Sequence, residues 1–191
     1  MTIELVVMGA SLGGLRALRS VLGVLPASFP IPIAVVQHRS DDGEGRLVAL
    51  LQDCCSLEVA DADDKAPLTP GRVYLAPPDY HLLIGDGMVC VSLDEPVSHS
   101  RPSIDVLFET AAHAFRARTV AVVLTGSSRD GVEGARHVHE AGGTVIVQDP
   151  DDAASDVLPR AVLEQVPGSV TPLAQIPYRL GRICGIPDDG R

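Results

Sequence analysis

The fold of this 191-residue chain is decided near its N-terminus, by the stretch Val6-Val7-Met8-Gly9-Ala10-Ser11-Leu12-Gly13-Gly14. An apolar strand pattern ends at a serine between glycines, and a helical pattern begins immediately after it. Gly9-x-Ser11-x-Gly13 fits the nucleophile-elbow pattern, in which a tight strand-to-helix turn lifts a serine hydroxyl above a sheet. Serine is also a preferred helix N-cap, so at this point Ser11 is either a nucleophile or a helix cap.

Apolar runs of strand length alternate with helical patterns along the chain. We predict strands at residues 4–8, 31–37, 120–125 and 144–148, with short ones at 57–60 and 73–76. Helices are predicted after the first strand and at residues 46–52, 104–117 and 132–141. Strands that are apolar on nearly every residue are typical of parallel sheets covered on both faces. The alternation predicts an α/β fold with a doubly wound, mainly parallel sheet and helices on both faces.

One segment departs from this alternation. Residues 81–84 and 88–91 are strand-like runs separated by Gly85-Asp86-Gly87, which predicts a β-hairpin. No repeat, low-complexity tract or linker divides the sequence. We therefore expect residues 1–191 to form a single domain, which is long enough to build its own core.

The composition argues against several classes of partner and cofactor. The net charge is −10, which disfavours binding to nucleic acid or to an anionic membrane surface. No apolar run is long enough to span a membrane and no signal-peptide pattern is present, so we expect a cytoplasmic protein without direct membrane insertion. The four cysteines are Cys54, Cys55, Cys90 and Cys184, and they lack the spacing of a zinc site. We expect them to be reduced thiols, and we expect the protein to hold no metal and no cofactor.

Polar residues stand where three of the predicted strands end. The first strand ends at Ser11, the second at His38, and the third leads into a loop that contains Asp130. Ligands of open α/β sheets bind beyond the carboxyl ends of the strands. These three residues are therefore a candidate nucleophile, general base and orienting acid. Their chain order differs from the Ser-Asp-His order of the α/β-hydrolases, so we do not expect that family.

Structural alternatives exist for these residues. Asp130 and Glu133 have the spacing of a capping box, so Asp130 can be a helix cap, and His38 can be an ordinary loop histidine. Five further histidines are weaker candidates because of their places in predicted helices, the hairpin or a polar loop: His81, His99, His113, His137 and His139.

A nucleotide site is the main functional alternative. Gly9-x-Ser11-x-x-Gly14 is one residue away from a dinucleotide fingerprint, but Ser11 stands where the second glycine belongs. The second strand ends in Gln37-His38, whereas a ribose-binding site needs an acidic residue there. The sequence also lacks a Gly-Lys-Ser/Thr phosphate loop. These departures disfavour a dinucleotide enzyme, a kinase or an NTPase.

Taken together, the motifs resemble the catalytic domain of the chemotaxis protein-glutamate methylesterases. The similar segments follow in order over most of the chain: residues 9–14, 35–38, 75–82, 101–105, 124–131 and 141–149. The resemblance implies hydrolysis of γ-glutamyl methyl esters on chemoreceptor helices, with release of methanol, and it extends to deamidation of receptor glutamines. It assigns Ser11, His38 and Asp130 to a catalytic triad. Arg101, in the Arg-Pro-Ser-x-Asp motif, is a candidate for docking an acidic receptor surface.

The chain departs from that family's pattern around the elbow and around the aspartate. Leu12 replaces a threonine, Ser127-Ser128-Arg129 replaces Met-Gly-x, and Val157-Leu158 replaces Gly-Met. If the replaced glycine requires a positive φ, Ser128 would strain the loop that carries Asp130. This motivates a second hypothesis, a catalytically weak methylesterase-like domain that serves as a protein-binding module in signalling.

Members of this family often carry a receiver domain ahead of the catalytic domain. The first predicted strand here begins near residue 3, so we expect no receiver domain in this chain. The protein would then be a stand-alone enzyme or would depend on a separate response-regulator partner.

Overall fold

The structure is a computed structural model that describes residues 2–38 and 45–186. Its strands are β1 (Leu5–Ala10), β2 (Ile33–Gln37), β3 (Glu58–Asp61), β4 (Ala66–Pro67), β5 (Arg72–Leu75), β6 (His81–Gly85), β7 (Met88–Ser92), β8 (Thr119–Val123), β9 (Thr144–Gln148) and β10 (Ser169–Thr171). Its α-helices are α1 (Gly14–Leu22), α2 (Arg46–Gln52), α3 (Ile104–Phe115), α4 (Val132–Glu140), α5 (Val157–Leu163) and α6 (Ile176–Ile183). Short 3₁₀ turns cover Arg116–Arg118, Pro150–Asp152 and Leu173–Gln175.

Seven strands form one parallel sheet in the order β10-β9-β8-β1-β2-β5-β3. From the central β1 the chain first adds β2, β3 and β5 on one side, and later adds β8, β9 and β10 on the other. The predicted doubly wound parallel sheet is confirmed. The order reverses between β1 and β8, and ligands of such sheets bind in the crevice at this switch point.

The alternating side chains of β1 feed two separate cores, because successive residues of a strand point to opposite faces. Val6, Met8 and Ala10 lie in the core beneath α1, α2 and α6. Leu5 and Val7 lie in the core beneath α3, α4 and α5. Helices therefore cover both faces of the sheet, as the uniformly apolar strands predict.

A second, antiparallel sheet of three strands has the order β4-β7-β6. Its β6–β7 hairpin turns at Asp86 and Gly87, and both have positive φ, as tight hairpin turns favour. The predicted hairpin is confirmed, and the two-residue strand β4 beside it was not predicted. Leu82, Ile84 and Val89 pack into the same core as α3.

The C-terminal part of the chain contains elements that the sequence patterns did not predict. α5 and α6 are short and each contains a proline, at Pro159 and Pro177, within their first turns, where the missing N–H group is tolerated. β10 has only three residues. The predicted helix at 104–117 ends earlier, at Phe115, because Arg116 has a positive φ of 52°. No helix within the described residues is long and apolar enough to cross a membrane.

We expect Phe108→Ala to lower the free energy of unfolding by about 3–5 kcal/mol. Phe108 of α3 is fully buried. The helices α3 and α4 are already in close contact there, because a Cβ added to Gly134 of α4 would lie only 2.6 Å from the Cβ of Phe108. They therefore have little room to move together and close the cavity that the substitution leaves. Urea denaturation measures the change. Leu93→Ala, at a residue that is 62% exposed, is the control, and it should stay within about 0.5 kcal/mol of the wild type.

Candidate active site

Ser11, His38 and Asp130 meet at the switch point of the sheet. Ser11 follows β1, His38 follows the neighbouring β2, and Asp130 lies in the loop between β8 and α4. Backbone hydrogen bonds join these strand ends, because the Ser11 N–H donates to the Thr125 carbonyl (3.0 Å) and the His38 N–H to the Ala10 carbonyl (2.9 Å). The structure thus brings together the three residues that the sequence analysis selected.

Their side chains form a continuous hydrogen-bonded chain. The Ser11 hydroxyl lies 3.2 Å from Nδ1 of His38, and Nε2 of His38 lies 2.6 Å from Oδ2 of Asp130. An ionised carboxylate only accepts hydrogen bonds, so Nε2 must carry the proton that it donates to Asp130. In the neutral imidazole this leaves the lone pair on Nδ1, facing the serine hydroxyl. The arrangement can therefore remove a proton from Ser11.

Asp130 is kept ionised although it is buried. Burial alone would raise its pKa, but four hydrogen bonds outweigh that effect, and the pKa lies below the ordinary value of 3.8. The donors are Nε2 of His38, the Ser103 hydroxyl (2.7 Å), and the backbone N–H groups of Ile104 (2.7 Å) and Asp105 (3.1 Å). The last three belong to the N-terminus of α3, where unpaired N–H groups and the helix dipole favour an anion.

A second buried carboxylate, Asp105, mirrors this arrangement. Its Oδ1 accepts hydrogen bonds from the backbone N–H groups of Gly131 (2.9 Å) and Gly134 (2.8 Å), at the N-terminus of α4. The start of α3 therefore holds Asp130, and Asp105 at the start of α3 holds the helix that follows Asp130. Burial raises the pKa of Asp105 to about 6, and repulsion by Asp130 adds to this, while the two N–H donors act in the opposite direction.

The elbow requires its glycines for close approach. Gly13 is the N-cap of α1 and has a φ of 80°, a left-handed conformation that disfavours other residues. A Cβ on Gly14 would overlap the side-chain oxygen of Gln37 and would lie 2.7 Å from the Cβ of Ala10. Nε2 of Gln37 donates to the carbonyls of Ser11 (2.9 Å) and His38 (2.8 Å), so this side chain ties the two strand ends together.

The structural alternatives for Ser11 and Asp130 are wrong. The N-caps of α1 and α4 are Gly13 and Gly131, and neither helix start has a side-chain cap of its own. The hydroxyl of Ser11 faces His38, and the carboxylate of Asp130 bonds to α3 instead of α4. The strain considered for Ser128 is also absent, because Ser128 is not among the described residues with positive φ. In this loop Gly131 has that conformation, with a φ of 113°.

Two further candidate residues, His81 and Arg101, make hydrogen bonds outside the triad. His81 is buried, accepting at Nδ1 from the Ser103 N–H (3.2 Å) and contacting the Glu95 carbonyl through Nε2 (3.1 Å). Arg101 uses Nη1 to donate to the carbonyls of Leu93 and Asp94, at 3.2 Å each. Over the described ranges, no group of three or more His, Cys, Asp or Glu side chains is arranged to hold a metal ion.

Sequence reasoning did not assign roles to Gln37, Ser103 and Asp105. All three stand in segments that had been singled out, Gln37 beside His38 and the other two in the Arg-Pro-Ser-x-Asp motif. Their roles depend on which helix N-terminus faces which carboxylate, and linear spacing does not carry that information. A serine N-cap followed by an aspartate in the first turn of α3 was the available signal.

We expect Gly14→Ala to lower the free energy of unfolding by about 1–3 kcal/mol, because the added methyl group displaces Gln37 and crowds Ala10. Thermal or urea unfolding measures the loss. Gly85→Ala is the matched control: no atom lies within 4 Å of its added Cβ, so its stability should be nearly unchanged. Equal effects of the two substitutions would contradict the crowding argument.

We expect the stability of Asp105→Asn relative to the wild type to increase from pH 4 to pH 7. Between its ordinary pKa of 3.8 and the folded value of about 6, Asp105 binds a proton in the native state that the unfolded chain has lost. Wild-type stability therefore falls as pH rises through this window. Asparagine has the same shape and can accept the same N–H bonds, but it does not titrate.

Urea unfolding of both proteins at several pH values tests this expectation. Asp130 is present in both proteins, and its lowered pKa places its own titration below this window. A stability difference that is constant between pH 4 and pH 7 would show that Asp105 does not titrate there.

Comparison with known proteins identifies the family. The sequence matches the CheB methylesterase family over residues 6–180. A relative from Leptospira interrogans is 41% identical over 165 residues, which cover 86% of each chain. The protein-glutamate methylesterase/protein-glutamine glutaminase 2 of Anaeromyxobacter dehalogenans is 43% identical over 179 residues, which cover 93% of this chain and 52% of that protein.

The fold comparison agrees with the sequence comparison. The crystal structure of the Thermotoga maritima CheB methylesterase catalytic domain has a TM-score of 0.90 and 34% sequence identity, and it covers 96% of this chain and 100% of that domain. The chain spans about half the length of the Anaeromyxobacter relative and most of the Leptospira one. With the family match, the identities and the shared fold in agreement, this chain belongs to the CheB methylesterase family.

Proposed function

We propose that this chain is a serine esterase that hydrolyses glutamate γ-methyl esters on chemoreceptors. The observation that carries the proposal is the hydrogen-bonded chain from Ser11 through His38 to Asp130, at the switch point of a CheB-type fold. The Anaeromyxobacter and Thermotoga relatives are named protein-glutamate methylesterase/protein-glutamine glutaminase, and these names supply the substrate class.

In the first step, the Ser11 oxygen attacks the carbonyl carbon of the ester while Nδ1 of His38 takes the hydroxyl proton. Asp130 stabilises the imidazolium that forms and keeps the ring oriented through its bond to Nε2. When the tetrahedral intermediate collapses, the C–O bond to the methoxy group breaks and Nδ1 returns the proton to that oxygen. Methanol leaves, and the glutamyl side chain remains as an ester of Ser11.

Backbone N–H groups beside the nucleophile are suited to hold the oxyanion. Oxyanion holes of elbow enzymes use the N–H of the residue after the nucleophile, which is Leu12 here. Neither the Leu12 nor the Gly13 N–H has a hydrogen-bond partner among the described residues. They are therefore free to donate to the developing negative charge.

In the second step, water replaces the serine. Nδ1 of His38 takes a proton from the water molecule, whose oxygen attacks the acyl carbon, and the proton then passes to the Ser11 oxygen as it leaves. The products are a glutamate carboxylate and the free enzyme, with a net release of one proton. The same sequence of steps on a receptor glutamine releases ammonia in place of methanol, which is the second activity that we propose.

The setting of this reaction is part of the proposal. We place the enzyme in the cytoplasm, and its four free cysteines fit a reducing compartment. Residues 1–191 act as one catalytic domain, because two cores pack on opposite faces of a single sheet. A separate response regulator is the proposed controlling partner.

The alternative of a catalytically weak binding module is not favoured, since the strain at Ser128 that motivated it is absent.

We expect Ser11→Ala to lower methanol release from methylated chemoreceptor membranes by at least about 10³-fold, because no other group can take over the covalent step. Gas chromatography of released methanol measures the activity, and circular dichroism checks that the variant is folded.

A fluorophosphonate probe separates loss of the nucleophile from loss of the substrate. Stoichiometric labelling of the wild type and of Ser92→Ala, a control serine on β7, is expected, with no labelling of Ser11→Ala. Methanol release that persists in Ser11→Ala would overturn the assignment of the nucleophile. Absence of both release and labelling in the wild type would overturn the proposed enzyme.

A further inference from the structure

A groove leads away from the catalytic residues along the outer face of α1. It has a volume of about 1190 Å³, and its wall includes Ser11, Leu12, Arg16, Arg19, Val24 and His38. We call it the α1 groove. Ser11 and His38 lie at one end, so a ligand in the groove has one part at the nucleophile and the rest against α1.

The groove combines apolar and basic side chains that are exposed in this structure. Leu12 is 59% exposed at one end and Val24 is 49% exposed at the other, so both offer apolar surface to a ligand in the groove. Arg16 and Arg19 are exposed between them. Arg16 and Arg19 are three residues apart on α1, and Leu12 and Val24 lie just before and just after the helix. All four line the groove, and we call them the stripe.

Arg16 and Arg19 have no carboxylate partner among the described residues, unlike several other arginines of the chain. Within the described ranges, five arginines form ion pairs with carboxylates: Arg72, Arg118, Arg129, Arg136 and Arg160. The guanidinium groups of Arg16 and Arg19 have no ion pair or hydrogen bond with any described residue. In a chain of net charge −10, two unpaired cations beside the nucleophile form a local positive field that favours an anionic ligand.

We propose that the α1 groove docks the receptor helix that carries the scissile ester, with Arg16 and Arg19 facing carboxylates of that helix and Leu12 and Val24 facing its apolar residues. This inference rests on the proposed function. The ester itself is uncharged, so the electrostatic attraction has to come from neighbouring acidic residues, which include glutamates that have already been demethylated. The otherwise acidic enzyme would repel such a helix, and the basic stripe offsets this at the site of contact.

The length of α1 determines how much of a helical ligand can lie along it. α1 has nine residues, which correspond to about 14 Å at 1.5 Å per residue. A helix docked alongside presents about two and a half turns over that length. An ester at Ser11 then places side chains one and two turns further along the ligand beside Arg16, Arg19 and Val24. The stripe therefore predicts that the docked helix runs from Ser11 along α1 towards Val24.

Charge reversal tests the proposal. We expect Arg16→Glu and Arg19→Glu each to raise the KM for a methylated cytoplasmic receptor fragment by about fivefold or more, with a smaller change in kcat, and the double variant to show a larger effect. Hydrolysis of a small soluble ester such as p-nitrophenyl acetate should stay within about twofold of the wild type, since this substrate does not reach α1. The matched control is Arg116→Glu, an exposed arginine in the turn after α3, outside the groove.

The assay distinguishes failure of this inference from failure of the proposed function. If the wild type releases methanol and the two groove variants have its KM, docking in the α1 groove is overturned and the esterase assignment stands. If the wild type releases no methanol, the esterase assignment fails, and docking is decided by calorimetric binding of the receptor fragment to Ser11→Ala. Loss of that binding on adding Arg16→Glu and Arg19→Glu supports docking, and unchanged binding or none overturns it.

Discussion

The buried negative charge of Asp130 is the constraint on which the rest of the site depends. Removing a carboxylate from water is costly unless donors replace the lost hydration. Each oxygen of Asp130 accepts two hydrogen bonds, and three of the four donors come from the first turn of α3. The position of α3 therefore determines where the carboxylate lies, and the carboxylate determines which ring nitrogen of His38 carries the proton.

The same constraint links α3 to α4. Asp105 extends from the first turn of α3 to the free N–H groups of α4, while Asp130, just before α4, accepts from the first turn of α3. Each helix start thus has its unpaired donors satisfied by a carboxylate of the other segment. The close contact of Gly134 with Phe108 and with the backbone of Asp105 brings the two helices near enough for this exchange. The two carboxylates titrate differently because burial, with repulsion by Asp130, raises the pKa of Asp105, whereas four hydrogen bonds outweigh burial and lower the pKa of Asp130.

The departures from the family's usual sequence change the surroundings of the site more than its geometry. Leu12 projects its side chain outwards, while its carbonyl accepts a hydrogen bond from the Thr125 hydroxyl (2.8 Å), so the elbow keeps its backbone anchor. Ser128 adopts a backbone conformation open to any residue. Leu158 is fully buried against the sheet, and its backbone N–H donates to the Gly126 carbonyl (2.9 Å), which supports the loop before Asp130.

The sequence by itself determined the strand-and-helix alternation, the parallel sheet, the hairpin and the three polar residues at the strand ends. These features depend on local periodicity, on turn residues and on the rule that parallel strands end at one edge. Only the tertiary structure decided that Ser11 and Asp130 are not helix caps, that Nδ1 of His38 faces the serine, and that Ser103 and Asp105 surround the aspartate. It also decided that α5 and α6 form, because their short, proline-containing segments become helical when they bury residues such as Leu158 and Leu180 against the sheet. The physical reason is the same in each case: these features depend on contacts between segments far apart in the chain, and local sequence preference does not encode them.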